Sequence, residues 1–421
     1  MKNSAFISSK PETNATKEEA RSALVPRLRF PEFRDTEAWE QKEVGDLFQV
    51  TRGDVLSMKL VHDEKTEAMP YPVYSSQTKN NGLSGFYSKY LFEGAITWTT
   101  DGANAGDVNY RPGKFYCTNV CGVLLSSKGF ANPCIAALIN SVARKYVSYV
   151  GNPKLMNGVM GKIPIPLPPI REQQKIAECL SSVDELIAAQ ARKVDALKTH
   201  KNGLMQQIFP REGETQPRLR FPEFQNAGEW EETPLSKLGN LISGLTYSPK
   251  DIRESGLLVL RSSNVQNGEI ALDDNVYVNP EVKGVNPSQP NDILICVRNG
   301  SKSLIGKCAL IPEGLPMCTH GAFMAVFRAQ KPSFTFQLFQ TARYQKQVAA
   351  DLGATINSIN GKQFLKYTFF VPKQAEQVRI ASCLRSLDFL ITAETQKLAA
   401  LKTHKKGLMQ QLFPSPGLDE P

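Results

Sequence analysis

The sequence predicts an α+β fold made by duplication: two α+β domains separated by two long antiparallel coiled-coil helices, related by a pseudo-twofold axis. Three observations predict it. The octapeptide PRLRFPEF stands at residues 26–33 and again, unchanged, at 217–224. A second block recurs further on, and residues 171–210 and 375–414 are identical at 25 of 40 aligned positions. The segments between these blocks, about 40–165 and 231–372, hardly resemble each other and read as strands and helices in irregular order. The offset is 191 residues for the first block and 204 for the second, so the second middle segment is 13 residues longer. A solenoid needs many short repeats and is excluded by this period.

Composition agrees with a folded chain. At roughly 100–200 residues per domain, 421 residues make two or three domains. Hydrophobic residues at 41% and charged residues at 22% exclude disorder for most of the length. No run of about 18 apolar residues is present, so a membrane helix is not expected. Residues 1–25 lack the apolar core of a secretory signal and read as a flexible polar tail, as do residues 415–421. A cytoplasmic location follows as an expectation. Lys and Arg exceed Asp and Glu by 50 to 41, and the net charge of +9 permits a polyanionic partner without demanding one. Of the eight cysteines, Cys117 and Cys121 have no second pair at zinc-binding distance, and Cys296, Cys308 and Cys318 lie in or beside apolar runs. The expectation is reduced, buried cysteines and no metal site.

The first domain is placed at 26–165, with strands near 71–75, 95–99, 106–110 and 122–126. Turn residues separate them: Lys79-Asn80-Asn81-Gly82, Asp101-Gly102 and Arg111-Pro112-Gly113-Lys114. A helix is expected over 133–149. The spacer 166–210 opens after Pro168-Pro169 and ends at Pro210. Within it Ile176, Leu180, Val183, Ile187, Val194, Leu197, Leu204 and Ile208 follow heptad steps. The second domain, 211–372 with a short linker at its start, has strands near 257–260, 292–297, 307–311 and 322–327 and a helix over 333–352. The second spacer, 373–414, repeats the seam with Ile380, Leu384, Leu387, Ile391, Leu398, Leu401, Leu408 and Leu412. Polar residues interrupt both seams at matching places, Gln190 with Glu394 and Lys201 with Lys405, and such residues fix register and partner. Either apolar stripe alone would face water, so the two helices are expected to pair within the chain, antiparallel; packing on partner subunits or a parallel dimer is the alternative. Lys198, His200 and Lys201, with Lys402, His404 and Lys405, are cations near the helix ends, where the dipole favours them. Gly203 and Gly407 are read as points of close backbone approach.

The search for catalytic chemistry returns nothing. No Walker A sequence, G-x-G-x-x-G, H-E-x-x-H or G-x-S-x-G is present. Asn132-Pro133-Cys134 does not match an amino-methyltransferase motif, and four histidines leave few acid–base candidates. No catalytic residue is assigned. Polar loops are present instead, with the amides, hydroxyls and arginines that read base edges. In the first domain these are Ser75, Gln77, Thr78, Lys79, Asn80 and Asn81, then Thr99, Thr100 and Asn104. In the second they are Arg261, Ser263 and Asn264, then Arg298, Asn299 and Lys302. Lys154 and Asn157, and Asn357, Asn360 and Lys362, lie shortly before the long helices and are candidates for phosphate contacts. Each loop taken alone also reads as an ordinary solvated turn.

The whole arrangement resembles the DNA-specificity subunit of type I restriction–modification systems over residues 26–414. The resemblance rests on the duplicated order, the heptad helices and the Pro-x-x-x-Glu-Gln-x-x-Ile-Ala that opens each helix. That motif is Pro168, Glu172-Gln173 and Ile176-Ala177, and again Pro372, Glu376-Gln377 and Ile380-Ala381. The stretches 95–100 with 104–106, and 258–261 with Asn264, look like target-recognition segments. The resemblance implies a noncatalytic subunit with two target recognition domains, each reading one half of a bipartite, asymmetric double-stranded DNA site. It implies two methyltransferase subunits docked on the helices, and restriction/translocase subunits in a full complex. S-adenosylmethionine, ATP and Mg would then belong to those partners, with no cofactor in this chain. Helices of about 57 Å, at 1.5 Å per residue, suit domains that meet major grooves about 34 Å apart. A coiled-coil protein–protein adaptor that does not touch DNA, and an enzyme with an unrecognised site, remain the alternatives.

Overall fold

The computed structural model describes residues 24–76, 79–352 and 357–414. The chain folds as two compact units, Met1–Gln190 with Lys397–Pro421, and Ala191–Gln396. The 1–25 tail falls almost wholly outside the described residues, as does the 415–421 tail.

The first unit holds β1 (Glu40–Glu43), the one-turn helix α1 (Val44–Leu47), β2 (Gln49–Arg52), β3 (Tyr71–Tyr74), β4 (Leu83–Tyr87), β5 (Phe92–Thr99), β6 (Val108–Cys117) and β7 (Cys121–Leu125). Then come α2 (Pro133–Ala143), α3 (Asn157–Gly161), β8 (Pro164–Leu167) and the first part of α4 (Ile170–Ile208). Six strands form one sheet in the order β2-β7-β5-β6-β3-β4, with β3 and β6 parallel and the other pairs antiparallel. Trp98, fully buried on β5, faces Gly122 on β7, where a Cβ would lie 2.1 Å from the indole ring, so only glycine fits there.

The expected turn at Arg111–Lys114 is not a turn. It lies inside β6, which runs on to Cys117. Glu93 pairs with Lys114 and Ala95 with Arg111, so Pro112-Gly113 bulge opposite Gly94. A bulge leaves residues out of the ladder, which accommodates the N–H that proline lacks. The expected helix over 133–149 ends earlier: α2 stops at Ala143 and a 3-10 turn, Arg144–Tyr146, follows.

The second unit repeats the plan with different residues. Its elements are β9 (Glu231–Pro234), α5 (Leu235–Leu238), β10 (Gly239–Ser243), β11 (Ile252–Arg253), β12 (Leu257–Leu260), β13 (Val265–Gln266), β14 (Glu269–Ile270), β15 (Val276–Val278), β16 (Ile293–Cys296), β17 (Cys308–Leu310), β18 (Cys318–His320) and β19 (Met324–Ala329). Then follow α6 (Pro332–Leu338), α7 (Ala342–Asp351), α8 (Gly361–Phe364), β20 (Thr368–Val371) and α9 (Gln374–Leu412). The sheets run β10-β19-β16-β17 and β11-β15-β12-β18, with β12 and β18 parallel. Where the first unit has the single strand β6, the second splits the same path into β17 and β18. Apart from the added edge strand β11 and the small β13-β14 hairpin, strand order and direction correspond, so two unlike sequences share one core topology. The single helix expected over 333–352 is broken, because Thr341 caps a new helix by accepting from the Tyr344 N–H.

The long helices α4 and α9 are continuous, and the pairing can be read in each unit. In the first, Ile176 and Leu180 from the start of α4 share a core with Leu412 and Phe413 at the end of α9. In the second, Ile380 and Leu384 from the start of α9 share a core with Ile208 and Phe209 at the end of α4. Start meets end in both, so the pairing is antiparallel. Two ion pairs repeat the relation: Lys201 Nζ lies 2.5 Å from Asp388 Oδ1, and Lys405 Nζ lies 2.6 Å from Asp184 Oδ1. The 204-residue offset converts either pair into the other. The seam residues Val183, Ile187, Leu197, Leu387, Ile391, Leu398 and Leu401 are half-buried, and Val194 is buried. The interruptions face inward too: Gln190 is buried, and Glu394 takes a 2.5 Å contact from Lys193. One reading is corrected. Nothing lies within 4 Å of a Cβ placed on Gly203 or Gly407, so these glycines do not mark a close backbone approach.

The octapeptide explains the rest of the repeated frame. Arg29 makes a bidentate pair with Glu172 at 2.8 Å through Nε and Nη2, and also donates to the carbonyls of Thr36 and Glu37. Arg220 does the same with Glu376 and with the carbonyls of Ala227 and Gly228. The N–H of Leu28 donates to the Gln411 carbonyl at the end of α9, and that of Leu219 to the Gln207 carbonyl at the end of α4. Each octapeptide therefore ties the start of one long helix to the end of the other. Gln173 and Gln377 each donate to the preceding proline carbonyl, Pro168 and Pro372, at 2.8 Å.

Candidate nucleic-acid interface

The polar loops selected from the sequence occupy matching positions in the shared topology. Call loop A the segment after β3 or β12, loop B the segment after β5 or β16, and loop C the segment leading into α3 or α8. In the first unit Asn104 of loop B donates to the Ser76 carbonyl of loop A at 3.2 Å. Leu155 and Gly102 then join loops B and C through Leu155 N–H to Thr100 O and Gly102 N–H to Pro153 O, both 2.9 Å. In the second unit Asn299 of loop B donates to the Ser262 hydroxyl of loop A at 3.1 Å. Its backbone N–H reaches Asn357 O, and Ile359 N–H reaches Val297 O, which joins loop C. So A, B and C form one connected surface in each unit.

Within those surfaces the residues divide by what their polar atoms already do. Thr100 and Asn264 are buried. Thr100 Oγ1 lies 2.6 Å from Asp101 Oδ2, and the Asn264 amide donates to Ala271 O and Asp274 O. Both hold their loops in shape, with these polar atoms buried and already partnered inside the protein. Thr99 is buried as well. Ser75 accepts from Thr118 Oγ1, and Asn157 donates to Thr51 O. Arg261 is held by Asp274 at 2.7 Å, Asn357 donates to Gly300 O, and the Asn360 oxygen caps α8 at the N–H groups of Lys362 and Gln363. Lys154 is exposed, with Asp101 at 3.9 Å. Ser263, Arg298, Lys302 and Lys362 are exposed. Asn80 and Asn81 are exposed and both left-handed, with φ of 50° and 51°, which asparagine tolerates better than most residues. Gln77, Thr78 and the Lys79 side chain lie outside the described residues.

The sequence reading missed three residues that shape these loops. Arg111 lies 3.7 Å above the Tyr74 ring, donates to Thr97 Oγ1 and to the Asn81 carbonyl, and so braces loop A. Burial holds its guanidinium below the ordinary arginine range. Asp101 stands beside Lys154. Phe323, 57% exposed, borders a groove of about 610 Å³ together with Tyr247, Arg261 and Ser262. An exposed phenylalanine has no distinguishing neighbours in sequence, and Arg111 was hidden by the Pro-Gly beside it.

His320 is buried, with Nδ1 3.1 Å from the Ser288 hydroxyl and Nε2 3.0 Å from the Ile242 carbonyl. Its partner on the far side is a backbone carbonyl, since Asp292 is paired with Arg328 at 2.8 Å. Burial pushes the Cys121 thiol up to about 11 and the Cys117 thiol higher still, so neither is a ready thiolate. Among the described residues no group of His, Cys, Asp and Glu could hold a metal ion, and no helix is long and apolar enough to cross a membrane.

The type I restriction modification DNA specificity domain matches twice, over residues 36–199 and 227–403. The chain belongs to that family. The two matches coincide with the two copies of the duplicated plan, each running from just behind the octapeptide well into a long helix. As a specificity chain it is 25% identical over 403 residues to the type I restriction enzyme MjaVIII specificity subunit of Methanocaldococcus jannaschii, covering 90% of this chain and 93% of that one. A putative type I specificity subunit of Mycoplasma pneumoniae is 26% identical over 369 residues, 83% of this chain and 89% of the relative. The solved S subunit of a type I restriction-modification system from M. genitalium superposes with a TM-score of 0.63 at 16% identity, covering 93% of this chain and 99% of that one. At that identity the superposition establishes the fold. The specificity chain is thus α+β with a duplicated plan, as the repeat predicts.

Proposed function

We propose that the chain is the noncatalytic DNA-reading subunit of a type I modification or restriction complex, and that each A–B–C loop surface reads one half of a bipartite double-stranded site. One observation carries the reading. The loops occupy the same topological places in both units and are joined by corresponding bonds, yet their side chains differ. A shared scaffold with exchanged polar side chains is what two different half-sites require. The paired helices would set the spacing and dock two methyltransferase subunits, which would supply the S-adenosylmethionine chemistry. Restriction subunits using ATP and Mg would join a full complex in the cytoplasm. The recognition domains would span 26–165 and 211–372.

Single-molecule sequencing of methylated adenine in the host genome tests this. A split motif with two unlike halves is expected. Replacing residues 26–165 with the corresponding domain of another family member should change one half and leave the other and the spacing intact. A contiguous motif, or both halves changing together, would overturn the proposal.

A further inference from the structure

The two units carry opposite charges at one matched backbone position of loop B. In the first unit Asp101 forms an isolated antiparallel bridge with Lys154, and in the second Arg298 forms one with Ser358. Residues 154 and 358 are related by the 204-residue offset of the repeat, so Asp101 and Arg298 are topological equivalents. Their chemistry is opposite. Asp101 stands near Lys154 at 3.9 Å and also takes a hydrogen bond from Thr100. Arg298 faces a serine. Its guanidinium lies 5.9 Å above the ring of Phe323, which is itself exposed.

We propose that Arg298 is a specificity-determining residue of the second recognition domain, and that it reads a guanine in the major groove. This rests on the DNA-reading function proposed above. The backbone of Arg298 is locked from both directions: its N–H donates to Phe323 O, its carbonyl accepts from Cys296 Sγ, and Asn299 N–H donates to Asn357 O. The neighbouring Arg261 is neutralised by Asp274. Arg298 makes no ion pair with a described carboxylate. A fork near an aromatic plane on a fixed backbone has less freedom to lose than one on a mobile loop, which suits the paired bond to guanine O6 and N7. A mobile lysine on a loop would serve a phosphate equally well; an arginine on a fixed backbone, with an aromatic ring 5.9 Å beneath its guanidinium, favours a planar acceptor pair.

The test uses the full complex in its host, with R298A, R298K and R298Q, read by sequencing of methylated adenine and by competition binding of purified complex to DNA with randomised half-sites. All three variants should relax one guanine of one half-site, with discrimination falling about ten- to hundredfold, while the other half-site stays unchanged. The lysine variant should keep the salt dependence of the wild type. If R298A abolishes binding outright, R298K and R298Q decide. An unchanged motif in them overturns the assignment, as does a uniform loss at all sequences in R298Q with a salt slope lower by about one, the mark of a phosphate contact. Either result leaves the DNA-reading function standing. That function fails separately, if the wild type shows no split motif.

Discussion

Replacing Glu172 with alanine should loosen the first recognition domain from its helix by a large and calculable amount. The Glu172 side chain is 1% exposed and that of Arg29 5%, so water cannot compensate either charge. The alanine variant would leave Arg29 with two carbonyl acceptors, Thr36 O and Glu37 O, and no counter-charge. It would also orphan the Trp39 Nε1–H, which donates to Glu172 at 3.0 Å. Breaking a buried pair from one side costs about 3–5 kcal/mol. Hydrogen exchange on the full chain would read this as a drop of about two to nearly four orders of magnitude in protection near residues 26–47. Glu376→Ala in the second unit should cost less, because Arg220 is 14% exposed and the Trp230 Nε1 has no partner to lose. The double variant Arg29→Met with Glu172→Leu should recover the charge part of the loss, since neither partner is then left charged, while the Trp39 N–H stays unpaired. The reasoning fails if Glu172→Ala lowers protection less than about fivefold, or if the second-unit variant proves the more damaging.

Two further outcomes follow from named contacts. Lys201→Leu should raise stability by about 1 kcal/mol in urea titration: the seam position is largely buried, the pair to Asp388 is partly exposed and weak, and leucine adds apolar area. A loss above about 1 kcal/mol would show that the pair contributes more than a register device. His320 should make the protein less stable below pH 6.5. Burial holds its pKa below 6.5, Arg328 adds to that, and the Ile242 carbonyl and Asp292 oppose it. The unfolded chain therefore takes up the proton first as pH falls. The stability is present above 6.5 and is lost as pH drops through the folded value, by at most about 1.4 kcal/mol per pH unit. Unfolding curves at pH 7.5 and 5.5 should differ more for the wild type than for His320→Asn, and equal differences would refute the assignment.

The frame was legible in the sequence because duplication prints it twice. The heptad steps identified the long helices, and the repeat identified their antiparallel pairing, since two equal copies meet most simply about a twofold. What joins octapeptide to helix was not legible. Arg29 and Glu172 are 143 residues apart, and nothing local marks either as ionised inside a core. The clue was available only jointly: both recur, at offsets of 191 and 204. The loops were found as polar turns, but burial within them could not be seen. Thr100 and Asn264 look like their exposed neighbours until the fold turns their polar atoms inward. Pro112-Gly113 reads as a turn because a bulge uses the same residues for the same reason, the release of a backbone N–H from the ladder.

The exchange at Asp101 and Arg298 bears on how such a scaffold diversifies. Both side chains leave the same bridge between loops B and C, and that bridge is made by backbone atoms. Changing the side chain therefore costs the fold little, whereas changing Thr100 or Asn264 would undo the bonds that shape the loop. The octapeptide and the Glu-Gln motif lie elsewhere, at the ends of the long helices, and hold each domain through Arg29 or Arg220. Attachment and reading thus rest on separate residues. That separation is the physical condition under which two domains can keep one frame and one topology while their recognition chemistry goes from a carboxylate to a guanidinium at a single matched position.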